Sequence, residues 1–318
     1  MKTESRCLIC LKELGKEEPI YHPSCCKKLF GTSLPPELPY SWNQLNKLAE
    51  KIIRLQVTVP GVQPKLSLHL ERSGSSRSSR FTLVSMQGGY ILKPPVKEYT
   101  EMPELEHLTM LMASMSGISC ASCGLIKLEE GQQSFITKRM DRIGEKKLHM
   151  EDMCQLTDRM TEQKYRGSME QTGRAVLKHC SNPIFDALRL FEVTLFCFLT
   201  GNSDMHLKNF SLLRDVNKEI HLSPAYDLLP TNIILPEDTE ESALTINGKK
   251  RKLNANDFLS FGSKLHLTEA QLKNAFKRIL TKTTKATELI NQSLCSKETK
   301  EKFHTLITQR MQRLNKSV

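Results

Sequence analysis

Residues 201–230 read GNSDMHLKNFSLLRDVNKEIHLSPAYDLLP, with Asp204 five positions ahead of Asn209 and an isolated aspartate, Asp227, after a hairpin-like interval. Phosphoryl transfer needs these three groups together. One carboxylate accepts the proton of an acceptor hydroxyl, while an amide oxygen and a second carboxylate hold Mg²⁺ against nucleotide phosphates. The segments NFSLL and HLSPAYDLL read as two short strands that would bring Asp227 back beside Asn209. Taken alone, Asp204 is as simply a loop residue or a helix cap. The three residues in this order assign it the role of catalytic base, with Asn209 and Asp227 as metal ligands.

The sequence just upstream explains how such a loop is held. Ile184, Leu188, Phe191, Leu195 and Phe198 recur at alternating steps of four and three, the stripe of a buried helix, and Gly201 ends it. Asp204 therefore sits at the rigid end of a core helix. His206 and Lys208 are secondary candidates for neutralising a transferring phosphoryl group, with a loop-folding role equally open for the histidine.

Toward the N-terminus the pattern becomes strand-like from about residue 52. Lys65 to Leu70 alternates, and Phe81 to Ser85 and Tyr90 to Lys93 are further short runs, with the basic loop ERSGSSRSSR between them. A helix follows with Pro103 in its first turn and Gly117 at its end, then two strands, Gly124 to Leu128 and Gln133 to Lys138. Lys93, ending GYILKPP, can reach nucleotide phosphates, although a lysine at a strand end is ordinarily just solvated. Glu106 on the next helix is its expected ion-pair partner, with Glu101 and Glu104 as competitors. VTVPGVQPKLS is the expected phosphate-covering loop. It has one glycine, Gly61, and Pro60 and Pro64 offer no N–H, so the backbone of Gly61 and Val62 and the side chains of Gln63 and Lys65 would do the work. A Pro-bearing turn between edge strands is the plainer reading of the same stretch.

Residues 1–50 differ again. Cys7, Cys10, His22 and Cys25 form C-x2-C-x11-H-x2-C, ligand types and spacings that suit tetrahedral Zn²⁺. A short helical hairpin with reduced cysteines is the alternative.

The expected organisation is an α+β, two-lobed, atypical protein-kinase-like fold: a Cys/His-containing segment over residues 1–50, a small β-rich lobe over 51–145 and a larger, all-helical lobe over 146–318. The 318 residues suffice for both cores. A net charge of +11 and a pI near 9.1 point to an anionic partner, although lysines on solvated helix faces of the C-terminal third account for much of it. Ten cysteines in a chain this long are too dilute for a secreted disulfide scaffold. The polar N-terminus and the short apolar run Leu190 to Thr200, interrupted by Glu192, offer neither a secretory signal nor a span. A cytoplasmic protein with no membrane contact is expected.

With these residues assembled, the chain resembles the HipA family of toxin–antitoxin serine/threonine kinases. The likeness runs through TVPGVQPKLS, ILKP, FITKRMDR, EDMCQ, GNSDMHLKNFS and PAYDL, in the family's order. It implies ATP and Mg²⁺ as cofactors, Asp204 as base, Asn209 and Asp227 on the metal, and Lys93 on the phosphates. Lys138, Arg139 and Met140 would supply hinge contacts to adenine, with Asp141 following. It further implies a protein substrate such as an aminoacyl-tRNA synthetase and an antitoxin of HipB type, with DNA met only through that antitoxin. It also implies autophosphorylation beside the Gly-containing loop, where Thr58 stands. The family's additional N-terminal subdomain is missing from this sequence, which looks more like the shorter toxin of three-gene systems, whose partner is a separate HipS-like subunit. A small-molecule or lipid kinase, and a basic nucleic-acid-binding protein on a degenerate kinase fold, are the competing readings.

Overall fold

The computed structural model describes residues 6–18, 20–55, 64–72, 79–84, 88–99, 101–144 and 146–315, the side chains of 49–55 excepted. The chain divides into two compact units. The first comprises Met1–Leu108, Ala121–Arg139 and Gln292–Leu294; the second comprises Thr109–Cys120, Met140–Asn291 and Cys295–Val318.

The first unit opens with a turn closed by an isolated bridge between Arg6 and Glu13. Helix α1 (Pro23–Phe30) follows and ends at Gly31, whose φ of 75° needs no Cβ. Helix α2 (Trp42–Leu55) continues past residue 52, where strand was expected. Leu45, Leu48, Ile52 and Leu55 recur at helical rather than alternating spacing, which is the signal that distinguishes the two. Strands β1 (Leu66–Arg72), β2 (Ser79–Leu83) and β3 (Tyr90–Lys93) precede helix α3 (Met102–Met115), and β4 (Cys123–Lys127) and β5 (Gln133–Lys138) come after it. They form one antiparallel sheet in the order β2-β1-β3-β5-β4. Alternation writes the buried face: Leu66 and Leu68, then Phe81, then Tyr90 and Leu92 are buried, their neighbours less so. Phe30 lies edge-on to Tyr21 and Phe81, and Phe81 edge-on to Tyr90, which fastens α1 against the sheet.

The second unit is dominated by helices but is not all-helical as expected, because the hairpin that follows Asn209 pairs with a strand at residues 150–152. Short strands β6 (Arg142–Ile143) and β7 (Lys146–Lys147) pair with each other, and β8 (Met150–Asp152) leads into α4 (Met153–Leu156). Helix α5 (Met169–His179) precedes α6 (Pro183–Thr200), which is buried on all sides over most of its C-terminal half. The expected apolar stripe is present from Phe191 onward, but Ile184 is 39% exposed. The first turn of α6 lies at the surface, and its inward positions there are Asp186 and Ala187. Around α6 pack α8 (Ala255–Lys264), α9 (Glu269–Ala286) and α11 (Lys297–Asn315), after β9 (Ser211–Arg214), β10 (Ile220–Leu222) and the single turn α7 (Thr231–Ile234). The short α10 (Glu288–Gln292) links α9 to α11. Phe191 stacks on Phe261 and meets Phe276 edge-on, and Phe198 meets Phe258 with the Arg310 guanidinium 4.5 Å from its ring centre. Each aromatic pair contributes about 0.5–1.5 kcal/mol beyond the area it buries. A capping box between Thr268 and Gln271 starts α9. Beside the helices lies a three-stranded sheet, β10-β9-β8, whose hairpin is the one required to return the chain toward Asp227. No helix among the described residues is long and apolar enough to cross a membrane.

Candidate functional site

In the second unit the loop after α6 begins with a Schellman turn. Gly201 N–H donates to the Phe198 carbonyl and Asn202 N–H to the Cys197 carbonyl, with Gly201 at φ 71°. Asp204 follows, then a turn of 3₁₀ helix over Leu207–Asn209 and strand β9. Asn209 Nδ2 donates to the Asp204 backbone carbonyl at 3.0 Å, and His206 N–H donates to the same carbonyl at 2.8 Å. The spacing D-x4-N thus closes a compact loop in which the amide nitrogen of Asn209 is spent on Asp204. Its Oδ1 is left to accept.

Asp227 is tied to this loop by its neighbour. The Tyr226 hydroxyl donates to the Lys208 carbonyl at 2.9 Å and pairs with Ser211 Oγ at 2.6 Å, which ties the residue before Asp227 to the residue before Asn209. Asp227 itself has φ 61°, a left-handed conformation. Asp tolerates it better than most residues, at a cost of about 1–3 kcal/mol. A strained carboxylate at the end of a hairpin is a frequent mark of a functional position.

Two tethers escaped the sequence reading. Tyr165 donates its hydroxyl to Asp204 Oδ1 at 2.7 Å, and its ring lies edge-on to His206. Burial, then the charge of Asp204, push the Tyr165 phenol upward, so it remains a donor. In the sequence it stands in a polar KYRGS stretch that reads as surface. Lys208 Nζ pairs with Asp152 Oδ2 at 2.9 Å, which also caps α4 through Gln155. Lys208 thereby braces the loop onto α4. Burial pushes the His206 imidazole below its ordinary range, and its Nδ1 has no hydrogen-bond partner among the described residues.

The first unit holds a second set. Lys93 Nζ and Glu106 Oε1 are 2.5 Å apart, with the two residues only 4% and 1% exposed, and Lys93 Nζ lies 5.4 Å from the Phe135 ring centre. The structure thus pairs Lys93 with Glu106 rather than Glu104, whose carboxyl burial pushes up to about 7. At the end of β5, Lys138 N–H donates to the Ser122 carbonyl and Arg139 N–H to the Gly89 carbonyl, both at 2.8 Å. Those two donors are occupied by the sheet. Asp141, at the start of the second unit, is buried and accepts from Arg142 at 2.5 Å. Lys65 is exposed just ahead of β1, while Thr58, Pro60, Gly61, Val62 and Gln63 lie outside the described residues. The ligand atoms of Cys7, Cys10, His22 and Cys25 lie within 4.8 Å of one another.

A five-stranded antiparallel sheet carrying a buried Lys–Glu pair, and a helical unit carrying an Asp/Asn loop and a hairpin aspartate, define a two-lobed kinase-like fold. Solved structures agree. HipA of Shewanella oneidensis, determined with HipB and its operator DNA, matches with a TM-score of 0.66 at 22% identity, over 84% of this chain and 71% of that one. The proinflammatory kinase CtkA of Helicobacter pylori matches with a TM-score of 0.55 at 19% identity, over 78% and 93%.

The model of the HipA-like C-terminal domain family matches residues 57–287, and the chain belongs to that family. A Haemophilus influenzae protein named "Putative kinase" is 27% identical over 319 residues, 90% of this chain and 91% of its own length. The Shewanella oneidensis serine/threonine-protein kinase toxin HipA is 26% identical over 207 residues, 58% of this chain but 45% of that toxin.

Proposed function

We propose that the chain is an ATP- and Mg²⁺-dependent serine/threonine protein kinase acting as the toxin of a toxin–antitoxin system. The observation that carries this reading is the hydrogen-bonded convergence of the Asp204 loop, Asn209 and the Tyr226–Asp227 turn. Asn209 Oδ1 and the Asp227 carboxylate are hard oxygen donors, the kind Mg²⁺ takes. When bound, that ion would neutralise charge building on the phosphate oxygens.

The remaining chemistry belongs to the chain. Tyr165 holds Asp204 Oδ1, which directs the other carboxylate oxygen to the acceptor hydroxyl. As the new oxygen–phosphorus bond forms and the bond to the departing ADP breaks, the hydroxyl proton passes to Asp204. Glu106 would hold Lys93 as the phosphate-binding lysine. Adenine would meet Lys138 to Met140 largely through carbonyl oxygens, since the Lys138 and Arg139 N–H groups are engaged.

Family membership supports a protein substrate, an aminoacyl-tRNA synthetase being the first candidate, with self-modification at Thr58. It also supports neutralisation by a HipB-type antitoxin with or without a separate HipS-like subunit, DNA contact only through the antitoxin, and a cytoplasmic site of action. Phosphoproteomics of cells briefly expressing the active chain against Asp204→Asn tests this. New phosphoserine or phosphothreonine on protein, absent in the variant, is expected. Equal modification with both chains, or label confined to small molecules or lipids in an acceptor screen, would overturn it.

A further inference from the structure

The N-terminal turn and helix α1 carry a group of side chains that phosphoryl transfer does not use. Cys7 and Cys10 sit in a tight turn closed by Cys7 N–H to the Lys12 carbonyl and Leu11 N–H to the Cys7 carbonyl, both at 2.9 Å, with Leu11 at φ 61°. His22 is the N-cap of α1 and Cys25 lies in its first turn. Two thiols from a knuckle and two ligands from a helix start therefore face one point.

The distances suit a tetrahedral ion. With metal–sulfur and metal–nitrogen bonds of about 2.3 and 2.0–2.1 Å, a tetrahedron places sulfur and nitrogen roughly 3.6 Å apart. His22 Nδ1 is 3.4 Å from Cys10 Sγ and 3.8 Å from Cys25 Sγ. The second ring nitrogen supplies an independent sign. His22 Nε2 donates to the Glu13 carbonyl at 2.9 Å, which places the ring proton there and turns the Nδ1 lone pair toward the sulfurs. The outer hydrogen bond that orients a ligating histidine is already made.

We propose that Cys7, Cys10, His22 and Cys25 bind one structural Zn²⁺. On uptake three thiols release their protons to solvent, and the neutral imidazole contributes its Nδ1 lone pair. All four positions are taken by protein, so the ion has no open site for catalysis. Its role follows from what the knuckle touches. Between the two cysteines, the Leu8 carbonyl accepts from Leu125 N–H of edge strand β4 at 2.7 Å, and the Ile9 carbonyl accepts from His107 Nε2 of α3 at 3.0 Å. The ion would thus fix a loop that covers an edge of the sheet and braces the helix bearing Glu106. This inference stands apart from the kinase reading.

Metal analysis of the full chain purified without chelators should give about one zinc per chain. Cys10→Ser and Cys25→Ser should lose it, while Cys26→Ser keeps it, because the Cys26 thiol donates to the Leu34 carbonyl at 3.1 Å, away from the cluster. Since a ligand variant can fail to fold, the intact chain provides a second measurement. Zinc is stripped and replaced by Co²⁺, which in a site of three thiolates and one imidazole gives thiolate charge-transfer bands and intense tetrahedral visible bands. A purified chain with no bound zinc that takes up Co²⁺ without those bands overturns the proposal. So does a cobalt spectrum that survives unchanged in folded Cys10→Ser and Cys25→Ser chains.

Discussion

Gly201→Ala tests how tightly the end of α6 governs the catalytic loop. The native φ of 71° lies in the left-handed region, which costs a residue with a Cβ about 1–2 kcal/mol. An added Cβ would also lie 2.4 Å from Leu306 Cδ2 of α11. That atom ends a flexible side chain, so the contact is relieved by an off-rotamer shift costing about 0.5–1.5 kcal/mol. Together these predict about 1.5–3.5 kcal/mol of destabilisation, a factor of roughly 10 to 300 in the folding equilibrium. Urea unfolding followed by far-ultraviolet circular dichroism should show a lower midpoint with an unchanged slope. Gly201→Ala in a Leu306→Ala background should retain only the backbone part, about 1–2 kcal/mol. Because Gly201 lies three residues before Asp204, kcat should fall more than KM for ATP. A variant within about 0.5 kcal/mol of wild type in both backgrounds, the range of an ordinary surface substitution, would refute the reasoning.

Asp204→Asn and Asp227→Asn should each abolish phosphotransfer while leaving the unfolding midpoint close to wild type, since Asn tolerates the left-handed conformation of residue 227, measured by ADP release and circular dichroism. Tyr165→Phe removes one donor from a carboxylate that is partly open to water, so a loss in kcat of about fivefold, equivalent to roughly 1 kcal/mol, is expected with KM for ATP unchanged. Incubation with ATP followed by intact-mass measurement and peptide mapping should place a single phosphate on Thr58; modification only elsewhere would remove that assignment. Burial lowers the His107 imidazole to about 4, so between that value and about 6.5 the folded chain binds fewer protons than the unfolded one. Stability from this residue is complete above pH 6.5 and declines on acidification, by about 2 kcal/mol at pH 5. His107→Gln should flatten that part of the stability–pH curve.

Much of the architecture could be read along the chain because it is written in short-range terms. Alternation marked β1, short apolar runs marked β2 to β5, the glycine after the apolar run marked the end of α6, and the two short strands after Asn209 marked the β9–β10 hairpin that leads to Asp227. Errors fell where short-range signals are ambiguous. Residues 52–55 contain β-branched and apolar residues that suit a strand, yet their spacing continues α2. Ile184 belongs to the periodic stripe of α6 but precedes the point at which that helix enters the core.

From its residue order alone, this protein has its elements, the loop that carries Asp204 and the cysteine and histidine spacing of its first turn, since each depends on neighbours a few positions apart. The tertiary structure set Glu106 against Lys93, because the placement of α3 against β3 decides which carboxylate reaches the lysine. It also brought Tyr165 to Asp204 across 39 positions and Asp152 to Lys208 across 56. Such pairs form only after distant segments have paid their ordering entropy and packed.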